Sequence, residues 1–336
     1  MQSAPAYLIV NFGGPRDLGE VEEFLVCLFR DREVLRTPLP AWVHNILFTH
    51  LAKKRAKSVV RDYAKIGGGS PIYQDTEEIA QKASRLLGSP VLTFHRYLPK
   101  THAAFAESMH RLDPAICLRV FPLFAQFSYA TTGSIATWFS RHLRKKLTDR
   151  MQWIPSYFSH PAYIRAFENR IRAFLDEHGV REEKTVLLFS AHGLPLKFIQ
   201  TGDVYETQCR SSFNCLAAHF PLAKSLLCYQ SQLGKKEWIR PYTSDMCGSV
   251  KEWGTGYETI VIVPLSFTSD HIETLFEVEE QYMPPIAKRG FHVLRCPALN
   301  QAQEWIEAIV QIMRAEKTVP MRSLIREKWF SARKRR

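Results

Sequence analysis

The chain has 336 residues, of which 46% are hydrophobic and 23% charged, and a formal net charge of +12. This is ordinary globular composition on a chain long enough for two domains, which excludes a disordered or fibrous protein. No apolar run approaches the ~18 residues of a membrane span, and seven scattered cysteines without a CxxC give neither a zinc knuckle nor a disulfide framework.

In chain order, short apolar, β-branched runs at 6–10, 90–94, 116–121, 184–189, 225–229, 259–263 and 292–295 read as strands. Amphipathic periodicity reads as helix at 18–30, 73–87, 103–111, 133–146, 161–178, 204–220, 272–283 and 301–314. Buried strands alternating with helices specify an α/β chain with parallel sheets covered on both faces. The expectation is two doubly wound, Rossmann-like domains with parallel four-stranded sheets, 1–145 and 146–336. The last helix either stays with the second domain or packs back on the first.

In such sheets the turn after each strand is where ligands bind. After the first strand comes Asn11-Phe12-Gly13-Gly14-Pro15, and a second glycine loop follows at Gly67-Gly68-Gly69-Ser70-Pro71. Neither matches a nucleotide fingerprint or a phosphate loop, so close backbone approach to a bulky ligand is the better reading. Between them, 37–56 carries Pro38, Pro40, Trp42, Ile46, Leu47, Phe48 and Leu51, then Lys53-Lys54-Arg55. Such a segment fits a membrane interface or the rim of an apolar pocket, and equally a buried helix with a charged end.

The strand ending at Phe189 runs into Ser190-Ala191-His192-Gly193-Leu194-Pro195. A histidine at a strand-to-helix turn can accept a proton near pH 7 or bind a borderline metal such as Fe²⁺, or it can simply be satisfied by local backbone. After Pro264, an Asp270-His271 pair leads into a helix that sets Glu273, Glu277 and Glu280 at i, i+4 and i+7, on one face. Like charges so stacked need a cation or a shared proton, unless the face is merely solvated. There is no G-x-S-x-G elbow and no H-E-x-x-H, so serine hydrolase and zincin chemistry are unsupported. The last 23 residues carry nine Lys or Arg against two Glu. That tail suits lipid headgroups or another anionic surface, or a solvated end. With no targeting segment ahead of the first strand, the expected location is cytoplasmic with peripheral membrane association.

The two central stretches, Ser190 to Pro195 and Phe267-Thr268-Ser269-Asp270-His271-Ile272-Glu273-Thr274-Leu275-Phe276-Glu277, resemble the site motifs of ferrochelatases. Asn11 to Pro15, Ile66 to Pro71, Arg96-Tyr97, Ala130 to Ser134, Gln230 to Gly234, Trp238, Pro241 and Thr243 follow in the family's order. The resemblance implies a chelatase-type fold with a porphyrin cleft between the domains, and insertion of Fe²⁺ into protoporphyrin IX with release of two protons. It implies His192 and Glu273 as catalytic and metal-meeting residues, with Glu277 and Glu280 continuing an acidic path and Asp270 and His271 orienting these groups. It implies that Phe12, Arg96, Tyr97, Trp238 and Phe267 line or position the porphyrin, and that 37–56 is the lip of the cleft.

Iron is then a substrate and no cofactor is required. Gln281 stands where many members carry a carboxylate, and Phe12 where methionine is common. Tyr129 stands where cluster-bearing relatives place a cysteine, so no iron–sulfur cluster is expected. The partners implied are protoporphyrin IX, Fe²⁺ and a membrane surface met by lip and tail, with no nucleic acid. Coproporphyrin III as the substrate, or porphyrin binding without catalysis, are the alternatives.

Overall fold

The computed structural model describes residues 6–113, 116–234, 236–315 and 317–326. Among the described residues nine strands form two sheets: β1 (Ala6–Asn11), β2 (Val91–His95), β3 (Leu118–Pro122), β4 (Met151–Trp153), β5 (Thr185–His192), β6 (Lys224–Gln230), β7 (Thr259–Pro264), β8 (His292–Arg295) and β9 (Val319–Pro320). Sheet order is β2-β1-β3-β4-β9 in the first half and β6-β5-β7-β8 in the second. All pairings are parallel except β4 with β9.

The second sheet is the expected parallel four-stranded one. The first departs from expectation by a fifth, antiparallel edge strand. β9 is two residues long and contains Pro320, which has no N–H to donate and belongs at a sheet edge. β4 is three residues long, below what an apolar run reveals, yet its register Leu118↔Met151 seats it in the first sheet. The boundary drawn at 145/146 therefore falls too early, and the chain leaves the first sheet only after Trp153.

Alternation along each strand divides the core into layers. Tyr7 and Ile9 of β1 and Leu187, Phe189, Val261 and Val263 of β5 and β7 join one continuous interior. The helices Ile72–Leu87, Pro161–Glu177 and Gln303–Ala315 fill it, and Trp305, fully buried, stacks among Phe121, Tyr157 and Tyr163. Leu8, Val10 and Val120 face the opposite way, under helices His102–Arg111 and Thr132–His142. Val186, Leu188, Ile260 and Ile262 lie beneath Val278 and Tyr282. The final helix thus packs against the helix Ile72–Leu87 of the first half as well as against Pro161–Glu177.

Of segment 37–56, the residues from Ala41 onward belong to a long helix, Ala41–Lys65. Its two ends differ. Ala52, Ala56, Val59 and Tyr63 are buried against Val21, Phe24, Leu25 and Tyr97. Trp42 and Ile46 are 69% and 66% exposed, with Leu47 and Leu51 also exposed beside them. His44 anchors the tip from beneath, buried against Phe48 and bonded through Nδ1 to Thr37 Oγ1 at 2.9 Å.

The glycine loop at 67–69 folds onto the first loop. Ser70 N–H donates to Pro15 O at 2.7 Å, and a Cβ on Gly69 would stand 2.3 Å from Arg16 O. No side chain fits there, which accounts for that glycine. Among the described residues, no helix is long and apolar enough to cross a membrane. Of the basic tail, Arg326 is paired with Glu33 at 2.9 Å, while Lys328 and Arg333 to Arg336 lie outside the described residues.

Candidate active site

β5 is buried from Thr185 to Ala191 and surfaces at His192, its last residue. Gly193 follows, with its N–H bonded to Gln230 O at 2.8 Å. A Cβ there would stand 2.7 Å from that oxygen and 3.2 Å from the Trp238 ring, so the turn needs glycine. Trp238 is held alongside by a bridge to Pro195. From β7 the chain passes Phe267, whose ring stands edge-on to His192 at 6.3 Å and packs on His271 at 4.7 Å.

The helix that follows is where structure and expectation part. Glu273–Tyr282 is a π-helix rather than an α-helix. Hydrogen bonds spanning five residues widen the turn to roughly 4.4 residues, about 82° each. Positions i and i+4 still neighbour one another, but i+7 swings to the far side. Glu273 and Glu277 therefore stay together, and Glu280 leaves the row to pair with Lys65 at 3.2 Å, half exposed. Glu280 therefore stands apart from Glu273 and Glu277, not on one face with them as expected.

Glu273 Oε2 lies 2.8 Å from His192 Nδ1 and 3.6 Å from His271 Nε2, so two imidazoles share one carboxylate oxygen. Burial disfavours the His192 cation, but Glu273, with Glu277 beyond it, outweighs this and raises the His192 pKa. Burial likewise works to raise the Glu273 pKa, yet His192 and His271 hold it well below the usual carboxylate range. At Glu277, burial and the charge of Glu273 act together and raise the pKa. The result is a basic imidazole with a carboxylate partner and a second carboxyl inclined to hold a proton. With Nδ1 committed to Glu273, Nε2 is the nitrogen left for a ligand.

Asp270 stands beside these carboxylates. It pairs with Arg295 at 2.8 Å and accepts from Asn300 Nδ2 and Thr274 Oγ1, both at 2.8 Å, tying the first turn of the π-helix to the loop after β8. On the opposite side, Phe12 follows β1 and rests on Tyr97 at 4.4 Å. Tyr97 itself is fully buried, and Arg96 is consumed in an ion pair with Asp31 at 2.7 Å. Tyr97 supports Phe12 from below, while the Arg96 guanidinium is turned to Asp31 and lies over the Tyr97 ring. Phe12, Trp238 and Phe267 are half-buried and available.

Several residues here were given no role by the sequence reading. Asp31 and Ser134 hold Arg96 and Tyr97. Tyr63, at the base of the lip helix, lies close enough for Glu273 to add to the burial that raises its pKa. Gln230, Ser231 and Tyr282 bind the acidic turn. Gln230-Ser231 ends β6, so the strand-end rule that found His192 applies to it as well.

The sequence model of the Ferrochelatase family matches residues 4–317. A ferrochelatase of Chlamydia abortus is 41% identical over 320 residues, covering 95% of this chain and 98% of its own. That of Chlamydia caviae is 41% identical over 321 residues, covering 96% and 99%. Among solved structures, SirB from Bacillus subtilis with Fe³⁺ overlays at a TM-score of 0.50 and 12% identity, covering 92% of this chain and 94% of its own. A multi-domain protein of Deinococcus radiodurans, described as structurally similar to chelatases, overlays at 0.51 and 13%, covering 94% of this chain and 58% of its own. These last two speak to the fold alone.

Proposed function

Since the chain belongs to the ferrochelatase family, and so is a metal-chelating lyase of haem biosynthesis, we propose that it inserts Fe²⁺ into protoporphyrin IX, with His192 and Glu273 carrying the chemistry. The observation that carries this is the 2.8 Å His192–Glu273 pair, half-buried at a strand end beside Phe267.

Metallation exchanges two pyrrole N–H protons for one Fe²⁺, which must shed its water. Both demands fall on the same few atoms. His192 Nε2 takes a proton or meets the metal, and the proton passes through Nδ1 to Glu273. Glu277, whose raised pKa favours the protonated form, continues the route outward. His271 shares the Glu273 oxygen and keeps that carboxylate turned toward the pair. Phe12, Phe267 and Trp238 supply apolar surface for a large flat ligand. Iron enters as substrate, and the proposal needs no resident cofactor or iron–sulfur cluster.

Anaerobic incubation of the protein with Fe²⁺ and protoporphyrin IX is expected to shift the Soret band to that of protohaem. Absence of turnover would sink the assignment. Faster turnover of coproporphyrin III under the same conditions would transfer the assignment to that porphyrin. The exposed apolar tip of the lip helix favours the more lipophilic substrate.

The same tip supports peripheral membrane contact of a cytoplasmic protein, since Trp42 and Ile46 stand clear of the fold above Lys53 and Lys54. The double substitution Trp42→Ser, Ile46→Ser is expected to lower co-sedimentation with anionic liposomes while leaving turnover of detergent-dispersed porphyrin near wild type. Unchanged co-sedimentation rules the tip out as the membrane contact.

A further inference from the structure

Gln230, the last residue of β6, touches both members of the His192–Glu273 pair's framework. Through its main chain it stands opposite His192 in the β5–β6 register, and its carbonyl accepts the Gly193 N–H at 2.8 Å. Through its side chain, Nε2 donates to the Glu273 backbone carbonyl at 2.8 Å, with Glu277 Oε2 at 3.4 Å. Ser190 Oγ donates to Gln230 Oε1 at 2.8 Å and is itself in contact with Thr243 Oγ1 at 2.9 Å. The side chain is buried, 1% exposed. Its orientation is unambiguous, because the Glu273 backbone carbonyl can only accept, so the amide nitrogen must face it.

Ser231 extends the grip. It sits in the left-handed region at φ 65°, a conformation that costs a non-glycine residue about 1 kcal/mol or more. There its N–H and Oγ both donate to Glu277, at 2.9 and 2.6 Å. Two consecutive residues at one strand end therefore hold the two carboxylate-bearing turns.

What they hold is the π-helix. In an α-helix, with about 100° per residue, positions five apart diverge by roughly 140°. The hydrogen bond from Tyr282 OH to Glu277 closes only because the turn is wider. Long π-helices are rare, so this one needs support from outside its own backbone. The Gln230 bond to the Glu273 carbonyl is such support, placed at the first turn.

We propose that Gln230 is a positioning residue for metal insertion, which keeps the first turn of Glu273–Tyr282 in its wide register and thereby sets Glu273 against His192. This rests on the metal-insertion activity above, but the register itself can be read without turnover.

The test is Gln230→Met, which keeps the side-chain length and removes the donor. The kcat for Fe²⁺ insertion is expected to fall about 10- to 100-fold, the range for outer groups that orient metal-meeting residues. The porphyrin KM should stay within about twofold, because Phe12, Trp238 and Phe267 are untouched. Amide exchange should quicken across 273–282 and not across 185–192. A wild-type kcat, or a KM that rises in step with the loss of kcat, overturns the proposal, as does unchanged exchange in 273–282. Should Gln230→Met fail to fold, Ser190→Ala frees the amide to rotate without removing it. A smaller loss of kcat with faster exchange in the same segment is then expected, and wild-type values for both overturn the proposal. A wild-type protein without turnover would defeat the function reading alone, since exchange still reports on the helix.

Discussion

Replacing His192 with alanine is expected to lower kcat for Fe²⁺ insertion by about 10²- to 10⁴-fold, the usual share of a positioned proton acceptor. The fold should survive. His192 is the terminal residue of β5, partly exposed, and its backbone N–H bonds to Ser266 Oγ at 2.8 Å whatever side chain it carries. The loss should appear in kcat with little change in porphyrin KM, because the apolar contacts belong to other residues. The same substitution also releases Glu273, which would lose its first partner and retain only His271. Its carboxyl pKa should then rise, shifting its protonation toward neutral pH. Stopped-flow Soret measurements on wild type and His192→Ala would show it, and equal rates would remove His192 from the chemistry.

Asp31→Ala is expected to cost about 3–5 kcal/mol of folding stability in urea denaturation, the range for removing one partner of a buried ion pair. Asp31 Oδ2 accepts from Arg96 Nη2 at 2.7 Å, from Tyr97 OH at 2.9 Å and from Ser134 Oγ. Removing it strands a guanidinium whose side chain is only 12% exposed. Phe12 rests on Tyr97, so the damage should reach the site as a higher porphyrin KM. Asp31→Asn keeps the shape and some of the hydrogen bonds, and a smaller loss is expected from it. A change under about 1 kcal/mol for Asp31→Ala would mean that water replaces the carboxylate at Arg96.

The strands most legible in the sequence were those buried on both faces. β1, β5 and β7 are continuous apolar runs, because each carries residues for two hydrophobic layers. His192 was legible for the same reason, as a polar residue where such a run stops. β4 and β9 were not, since three and two residues cannot show a pattern, and β9 joins a sheet begun more than 300 positions earlier. The π-helix was invisible. Its apolar spacing passes for that of an α-helix, and what widens it is held by distant residues, among them Gln230. That single difference removed Glu280 from the expected row. The surroundings of Arg96 and Tyr97 were not legible, because they are held by Asp31 and Ser134, far away in the chain.

The helix Gln303–Ala315 and the strand β9 fill the interior and the edge of a sheet whose first strand begins at Ala6. On the ribosome, the part made first is therefore finished by the part made last. The N-terminal half cannot complete its core as it emerges, and Tyr7, Ile9 and Phe121 lack part of their cover until Gln303–Ala315 has been made. Such an arrangement favours closure of the two halves together over closure of the first half alone.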